Sequence, residues 1–327
     1  MVLHVVQVLD VSARSMTDVA VAVPSALRGK KATRVYGVQR AVQPHEIDIF
    51  RTWLKQQPHL PHDIPDETLA MFLHSQNHSL EMSKLTLDRS YSIRTAAPEI
   101  FLDRDPFAPE LQDVFKIGYY SPLPARCPDG VVAFLCSIKD NDPNKFNFVN
   151  CIKVSLMVLD LVQLRDGPVP GYRLILDMKG TNIAHVAKIN FATMKRALDY
   201  QQEGLPVKLK SVHVINAIPL LHQILALVKP LLKPETRNML HVHTEAQVQK
   251  FYEYVPKELM PKEYGGDAPC QDDLNDLVKT GLEQMAPWFR EEERLRVTES
   301  LRPARSRGYQ SAESFGCNGS FKKLNLD

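Results

Sequence analysis

At 327 residues with 44% apolar content, the chain is long enough for one large α/β domain and a smaller companion. Forty lysines and arginines against 38 acids leave a net charge of +2, without the basic excess of a dedicated nucleic-acid binder. Its five cysteines (Cys127, Cys136, Cys151, Cys270, Cys317) form no CxxC pair and are odd in number, a pattern of reduced thiols rather than a disulfide framework.

No apolar run has the length and flanks of a membrane span. Asp10 breaks the apolar start where a secretory signal would continue, so the expected location is cytoplasmic. Residues 1–44 hold six basic residues and two acidic ones. They read as a disordered leader, with Met16 as an alternative start and a mitochondrial transit peptide as the competing reading.

From His45 the apolar period becomes helical, and residues 45–115 read as an all-helical module. Ile47, Phe50 and Leu54 share one face with Trp53 beside them, and that helix stops before Pro58. Asp66 is the expected cap of a second helix carrying Leu69, Phe72 and Leu73. Ser79 is the expected cap of a third, with Glu81 in its first turn and Met82, Leu85 and Tyr91 as apolar positions. Residues 105–128 read as a Pro-rich connector.

Residues 116–270 read as the main domain, and 271–327 as a C-terminal helix and tail. Asp129-Gly130 signals a turn before a buried strand, Val131–Ile138. A helix follows over 147–165, with Val149, Ile152, Leu156 and Leu159 along one side. Tyr172–Met178 is a second strand, and 184–203 another helix closed by Gly204. Strands alternating with helices at this spacing predict an α/β sheet with helical crossovers.

The stretch from Val207 to Lys233 is the most informative. Val212 and Val214 alternate with His213 and Ile215 as a strand, and Lys208 and Lys210 stand at its polar start. Asn216 suits a turn and Pro219 a first helical position, so a helix is expected over 219–229. Leu221, Ile224, Leu225 and Val228 form one apolar face, while His222, Lys229 and Lys233 form a narrow polar stripe. A helix this greasy either belongs to an ordinary core or reserves a face for a ligand or membrane.

Several chemistries are missing from the sequence. It contains no GxGxxG after a strand, no GxxxxGK[ST], no GxSxG and no HExxH. His241 and His243 share one side of a short strand, but without a third ligand at metal-site spacing they read as core histidines. Asp177 in an apolar strand needs partners, as a catalytic acid or as a structural anchor. No catalytic residue, metal site or cofactor is expected. What remains is grease beside charge: Lys208, Lys210, Lys229 and Lys233 next to a wide apolar arc point to an anionic membrane surface or phosphate beside a hydrophobic pocket.

Several segments, VKLKSVHVINAI, LVKPLLK, MLHVH and FYEYVPKELMPKEYGGD, resemble the CRAL-TRIO lipid-binding domain family. GYRLILDMKG and SIRTAAPEIF fit the same family, and the tail NGSFKKLNLD is similar to the ending of insect alpha-tocopherol-transfer-protein-like members. The resemblance covers about residues 45–270 plus the tail. It implies an α/β sheet whose crossover helices enclose a hydrophobic ligand cavity, preceded by a small all-helical module. The ligand implied is one tocopherol-, retinoid- or phospholipid-like molecule, with the helix at 219–229 as a mobile gate lined by Leu221, Ile224, Leu225 and Val228. Lys208, Lys210 and Lys229 match part of the family's phosphoinositide-holding cluster; Lys233 joins them by helical spacing. In one departure this chain reads FLHSQ where family carriers read FLRAR, so His74 and Gln76 stand in place of two arginines. The resulting expectation is a non-enzymatic carrier that transfers its ligand to or between membranes, peripherally bound and without nucleic acid. The rival is a phosphoinositide-regulated sensor or scaffold; an enzyme stands third.

Overall fold

Residues 41–303 are described by a computed structural model. Residues 1–40 of the expected 1–44 leader, the tail NGSFKKLNLD and Cys317 lie outside these described residues; Val42 packs on the helical module and Pro44 opens its first helix, so the leader ends earlier than expected.

The module begins with α1 (Pro44–Leu54), α2 (Asp66–Ser75) and α3 (Leu80–Ala96). Phe50 and Leu54 of α1 are fully buried against Leu69, Phe72, Leu73 and Leu87. Asp66 is the first residue of α2 rather than its cap, since Pro65 holds that position and fixes the entry φ. Ser79 does cap α3, accepting the Met82 N–H at 3.4 Å. The inward face of α3 differs from the expected one: Met82 and Leu85 are exposed, whereas Ser83, Thr86, Leu87 and Tyr91 are buried. Serine and threonine fit there because helix partners approach closely, and Ser83 donates to the Phe72 carbonyl across the interface.

The connector is not a connector throughout. After the short α4 (Pro98–Phe101) come α5 (Pro109–Ile117) and the strand β1 (Gly118–Pro122). Leu111, Val114 and Phe115 recur at helical spacing and are all buried, a period that the prolines around them mask in the sequence.

The sheet follows as β2 (Val132–Ile138), α6 (Phe148–Asp166), β3 (Tyr172–Asp177), α7 (Ile183–Ala187), α8 (Phe191–Asp199), β4 (Leu209–Ile215), α9 (Leu221–Val228), α10 (Pro234–Asn238) and β5 (Leu240–Val242). Strand order is β1-β2-β3-β4-β5; β1 pairs antiparallel with β2 and the other pairs are parallel. The expected single helix over 184–203 is broken into α7, α8 and a wide turn over Tyr200–Gly204. Asn182 and Asn190 cap the two pieces, which gives each its own start.

The in-register parallel pairing sorts side chains into two faces. One carries Leu135, Ile175, His213 and Ile215, closed by Phe251, Val255 and Met260; each of these residues is at most 1% exposed. The other carries Phe134, Cys136, Leu174, Leu176, Val212 and Val214 beneath the crossover helices. After the short α11 (Val248–Phe251), helices α12 (Gln271–Gln284) and α13 (Ala286–Glu292) pack Val278, Leu282 and Phe289 against α6.

A buried ion cluster ties the module to the sheet layer. Arg94 of α3 pairs with Asp160 of α6 (3.3 Å) and Glu292 of α13 (2.5 Å). Arg104 pairs with the same two carboxylates, at 2.7 Å for Asp160. Arg94 also donates to the Tyr200 hydroxyl at 2.6 Å. Two guanidiniums and two carboxylates alternate, and Arg296 adds a third guanidinium 3.7 Å from Glu292.

Candidate functional site: a half-open apolar wall beneath helix α9

On the helix-covered face of the sheet, the side chains nearest its middle are not sealed. Cys136, Leu174, Leu176 and Val212 are all partly exposed, although β2, β3 and β4 are flanked by strands on both sides and helices lie above them. Parallel sheets normally bury both faces. On the same three strands the opposite face is closed, so the openness belongs to one side only. The partly exposed side chains on the helix-covered face are aliphatic groups and a thiol.

Over one end of that wall lies α9. Of its residues only Leu221 is buried; Ile224, Leu225, Leu227 and Val228 are half-buried. Leu221, Ile224 and Leu225 pack with Leu176, Met178, Val214 and Leu240 of the sheet layer. Val228 stays outside this cluster at the helix end. The helix is shorter than expected: Pro219 lies in the preceding turn, and at Lys229 the backbone tightens into a 3-10 turn running to Leu231.

The turn that starts α9 is pinned to β3. Asn216 takes a left-handed φ of +49°, which asparagine tolerates better than most residues. Its side-chain amide donates to Asp177 Oδ1 at 2.8 Å, and the same oxygen accepts the Lys179 N–H at 2.8 Å. The other Asp177 oxygen accepts the Tyr264 hydroxyl at 2.7 Å. Asp177 is thus an anchor with both oxygens used. Gly265, at φ +73°, lets the chain reverse just after Tyr264.

Lys229 and Lys233 do not share the helical stripe expected of them, because the helix ends at Val228. Lys208 and Lys210 stand at the start of β4, packed so closely on Gly171 that a Cβ there would fall 2.6 Å from Lys210 Cγ. Lys208 donates to Asn77 Oδ1 at 2.6 Å, and burial, then the neighbouring Lys210, lowers its pKa. Lys229 is exposed at the end of α9. Lys233 lies beyond the helix and is not reached by helical continuation. Its backbone N–H donates to Gln202 at 2.7 Å and its ammonium pairs with Glu203 at 3.2 Å, just ahead of β4. A parallel crossover must return to the start of the next strand, so this end of α9 and the start of β4 share one end of the sheet. His74 lies near Lys208, but burial holds the ring below the ordinary histidine range and it hydrogen-bonds the Val169 carbonyl at 2.8 Å. It is neutral at pH 7 and adds no charge to the lysines.

The histidine pair is occupied on the closed face. His213 bonds His243 at 3.0 Å and Ser211 at 2.9 Å, and stacks on His241 with 4.9 Å between ring centres. Burial, then His241, His243 and Arg173, push its pKa down to about 3. Among the described residues no group of three His, Cys, Asp or Glu is placed to hold a metal ion. No helix there is long and apolar enough to cross a membrane.

Sequence reasoning missed the wall residues Cys136, Leu174 and Leu176, because an apolar strand reads the same whether its side chains meet a core or a cavity. It also missed Tyr264 and Asn216 as partners of Asp177, which only the fold brings together.

Residues 118–266 match the CRAL/TRIO domain family, and residues 40–111 match the family described as "Pinta-like, UBA domain". "Alpha-tocopherol transfer protein-like" from Homo sapiens is 28% identical over 216 residues, covering 65% of this chain and 62% of that protein. "Clavesin-1" from Rattus norvegicus is 25% identical over 209 residues, covering 63% and 58%. The chain thus spans less than two thirds of the length of these relatives. A solved structure titled "Crystal structure of Sfh5" aligns with 79% of this chain and 87% of its own, at 14% identity and a TM-score of 0.36. The match over the sheet and its crossover helices identifies residues 118–266 as a CRAL-TRIO domain.

Proposed function

We propose that the protein is a non-enzymatic carrier that holds one hydrophobic molecule between its sheet and its crossover helices and transfers it to or between membranes. The observation that carries this reading is the partly exposed row Cys136, Leu174, Leu176 and Val212 in the middle of the sheet, beneath the half-buried α9. An apolar wall of this kind suits a tocopherol-, retinoid- or phospholipid-like ligand. In this reading Leu221, Ile224, Leu225 and Val228 form the pocket side of a gate, and the Asp177–Asn216 contact fixes its hinge. The relatives' names, one of them referring to tocopherol transfer, support the same class of cargo.

Energetics favour hand-over at a membrane. Burying about sixteen methylenes at ~0.8 kcal/mol each gives an upper figure near ~13 kcal/mol, so release into water would be very slow. Lys208, Lys210 and Lys229, at ~1 kcal/mol each near an anionic surface, contribute about 3 kcal/mol, or roughly two decades in affinity. Lys233 contributes less because Glu203 already faces it. The protein then works in the cytoplasm and touches membranes peripherally, with phosphoinositide headgroups among the anions these lysines suit.

The test is transfer of a self-quenched fluorescent lipid from donor to acceptor vesicles, alongside native mass spectrometry of the protein as isolated. Dequenching that scales with protein concentration, and a co-purifying lipid mass, are expected. Vesicle binding without lipid exchange would favour a phosphoinositide-regulated sensor and overturn the carrier reading.

A further inference from the structure

His185 lies on α7, in the crossover that leaves the carboxyl end of β3, and only 3% of it is exposed. Its Nδ1 lies 3.3 Å from the Asn182 backbone nitrogen and 3.0 Å from Asn182 Oδ1. That oxygen already accepts the backbone N–H of Ala184 at 3.0 Å and of His185 at 3.3 Å, which uses both its lone pairs. Nδ1 is left as the acceptor for the Asn182 N–H, in a reciprocal cap. Burial, and next Lys188, hold the ring below the ordinary histidine range, so it is neutral at pH 7. A neutral imidazole that accepts at Nδ1 carries its proton on Nε2.

That Nε2–H is buried and has no hydrogen-bond partner among the described residues. Buried donors are nearly always satisfied, so an orphan calls for a partner from outside the chain. Its surroundings indicate what kind. The Phe146 ring meets His185 edge-on with 5.4 Å between ring centres. Phe146 in turn packs on the same apolar cluster as Cys136 and Leu174, two members of the half-open wall. The orphan donor thus belongs to the crossover that leaves the carboxyl end of β3, one aromatic ring away from the apolar cluster on which Cys136 and Leu174 also pack.

We infer that His185 Nε2–H anchors the polar end of the carried molecule, and that this ligand is a long apolar body ending in an oxygen acceptor such as a ketone, ester or alcohol. This rests on the carrier reading, and it adds a class of ligand and an orientation: oxygen toward α7, chain along the sheet. A pure hydrocarbon leaves the donor unsatisfied, and an oxygen at the chain end satisfies it.

The experiment uses the full chain, stripped of lipid, with the fluorescent hydrocarbon diphenylhexatriene as probe and hexadecane, hexadecan-1-ol and hexadecan-2-one as competitors. The ketone and the alcohol are each expected to displace the probe about tenfold more effectively than hexadecane. His185→Phe should erase that preference; His185→Gln, which keeps an N–H donor, should retain part of it. Equal displacement by all three competitors on the unaltered protein overturns the proposal, as does a preference that survives in His185→Phe. If diphenylhexatriene fails to bind the unaltered protein, the cavity itself falls and the carrier reading with it. Hydrocarbon binding without oxygen preference leaves the carrier intact and removes only the anchor.

Discussion

Replacing Leu225 by aspartate separates a gate from an ordinary core helix, and its neighbour Leu221 supplies an internal control one turn away. Leu225 is half-buried, while Leu221 is 5% exposed in the same cluster with Met178 and Val214. Fully burying a leucine is worth about 1.5–3 kcal/mol, so about 1 kcal/mol of burial is at stake at Leu225. A carboxylate there reaches the space beside the sheet and stays hydrated, for a total cost of about 1–2 kcal/mol. In a fold of this size that lowers the melting temperature by roughly 2–8 °C. At Leu221 the same carboxylate is trapped without a partner, which costs several kcal/mol against a typical total of about 5–15 kcal/mol. The assay pairs thermal melting of the lipid-free protein with vesicle-to-vesicle transfer. Leu225→Asp should melt cooperatively within that window yet lose about tenfold or more in transfer, whereas Leu221→Asp should lose most of its structure. If Leu225→Asp unfolds as Leu221→Asp does, or transfers at the normal rate, the gate argument fails.

Three further outcomes follow from the geometry. Changing Lys208, Lys210 and Lys229 together to alanine should weaken binding to phosphatidylserine vesicles by about two decades, and added salt should weaken the unaltered protein likewise; salt-independent binding would take the lysines out of the mechanism. Glu292→Gln leaves Arg94 and Arg104 buried with only Asp160 between them, so it should cost about 3–5 kcal/mol, or roughly 6–20 °C by calorimetry. A fall of under about 2 °C would show that the cluster is not coupled to folding. Burial alone would raise the Glu292 carboxyl, but Arg94, Arg104 and Arg296 outweigh it and hold its pKa below the usual carboxylate range. The stability this pairing contributes is complete above the unfolded carboxylate pKa of about 4.3 and is lost as pH falls through the lower folded value. Melting temperature should therefore hold down to about pH 5 and then drop, less steeply in Glu292→Gln; parallel curves for the two proteins would refute the assignment.

Much of the sheet was legible from the residues because its signals are local. Apolar runs preceded by turn residues, Asp129-Gly130 for β2, Gly167 to Gly171 for β3 and Gly204 to Pro206 for β4, mark the strands, and Ser79 caps a helix where capping chemistry requires. The apolar face of α9 was equally plain, since side-chain period is a property of the helix alone. Where neighbours choose the inward face, the reading failed. Met82 and Leu85 look like core in α3 and are exposed, because α1 and α2 approach from the side carrying Ser83 and Thr86.

Everything that makes a site here depends on distance through space rather than along the chain. Sequence alone supplied an apolar α9, a set of lysines and a carboxylate in need of partners. Only the fold decided that Asp177 meets Asn216 and Tyr264, that Glu203 takes up the charge of Lys233, and that His185 Nε2 is buried without a hydrogen-bond partner among the described residues. It decided, too, that Leu174 and Leu176 stay partly exposed while Ile175 between them is sealed. The physical reason is that a strand's alternation specifies two faces but not what lies opposite each. Whether an aliphatic side chain meets another or empty space is set by how closely the crossover helices pack, and that is written in no single segment.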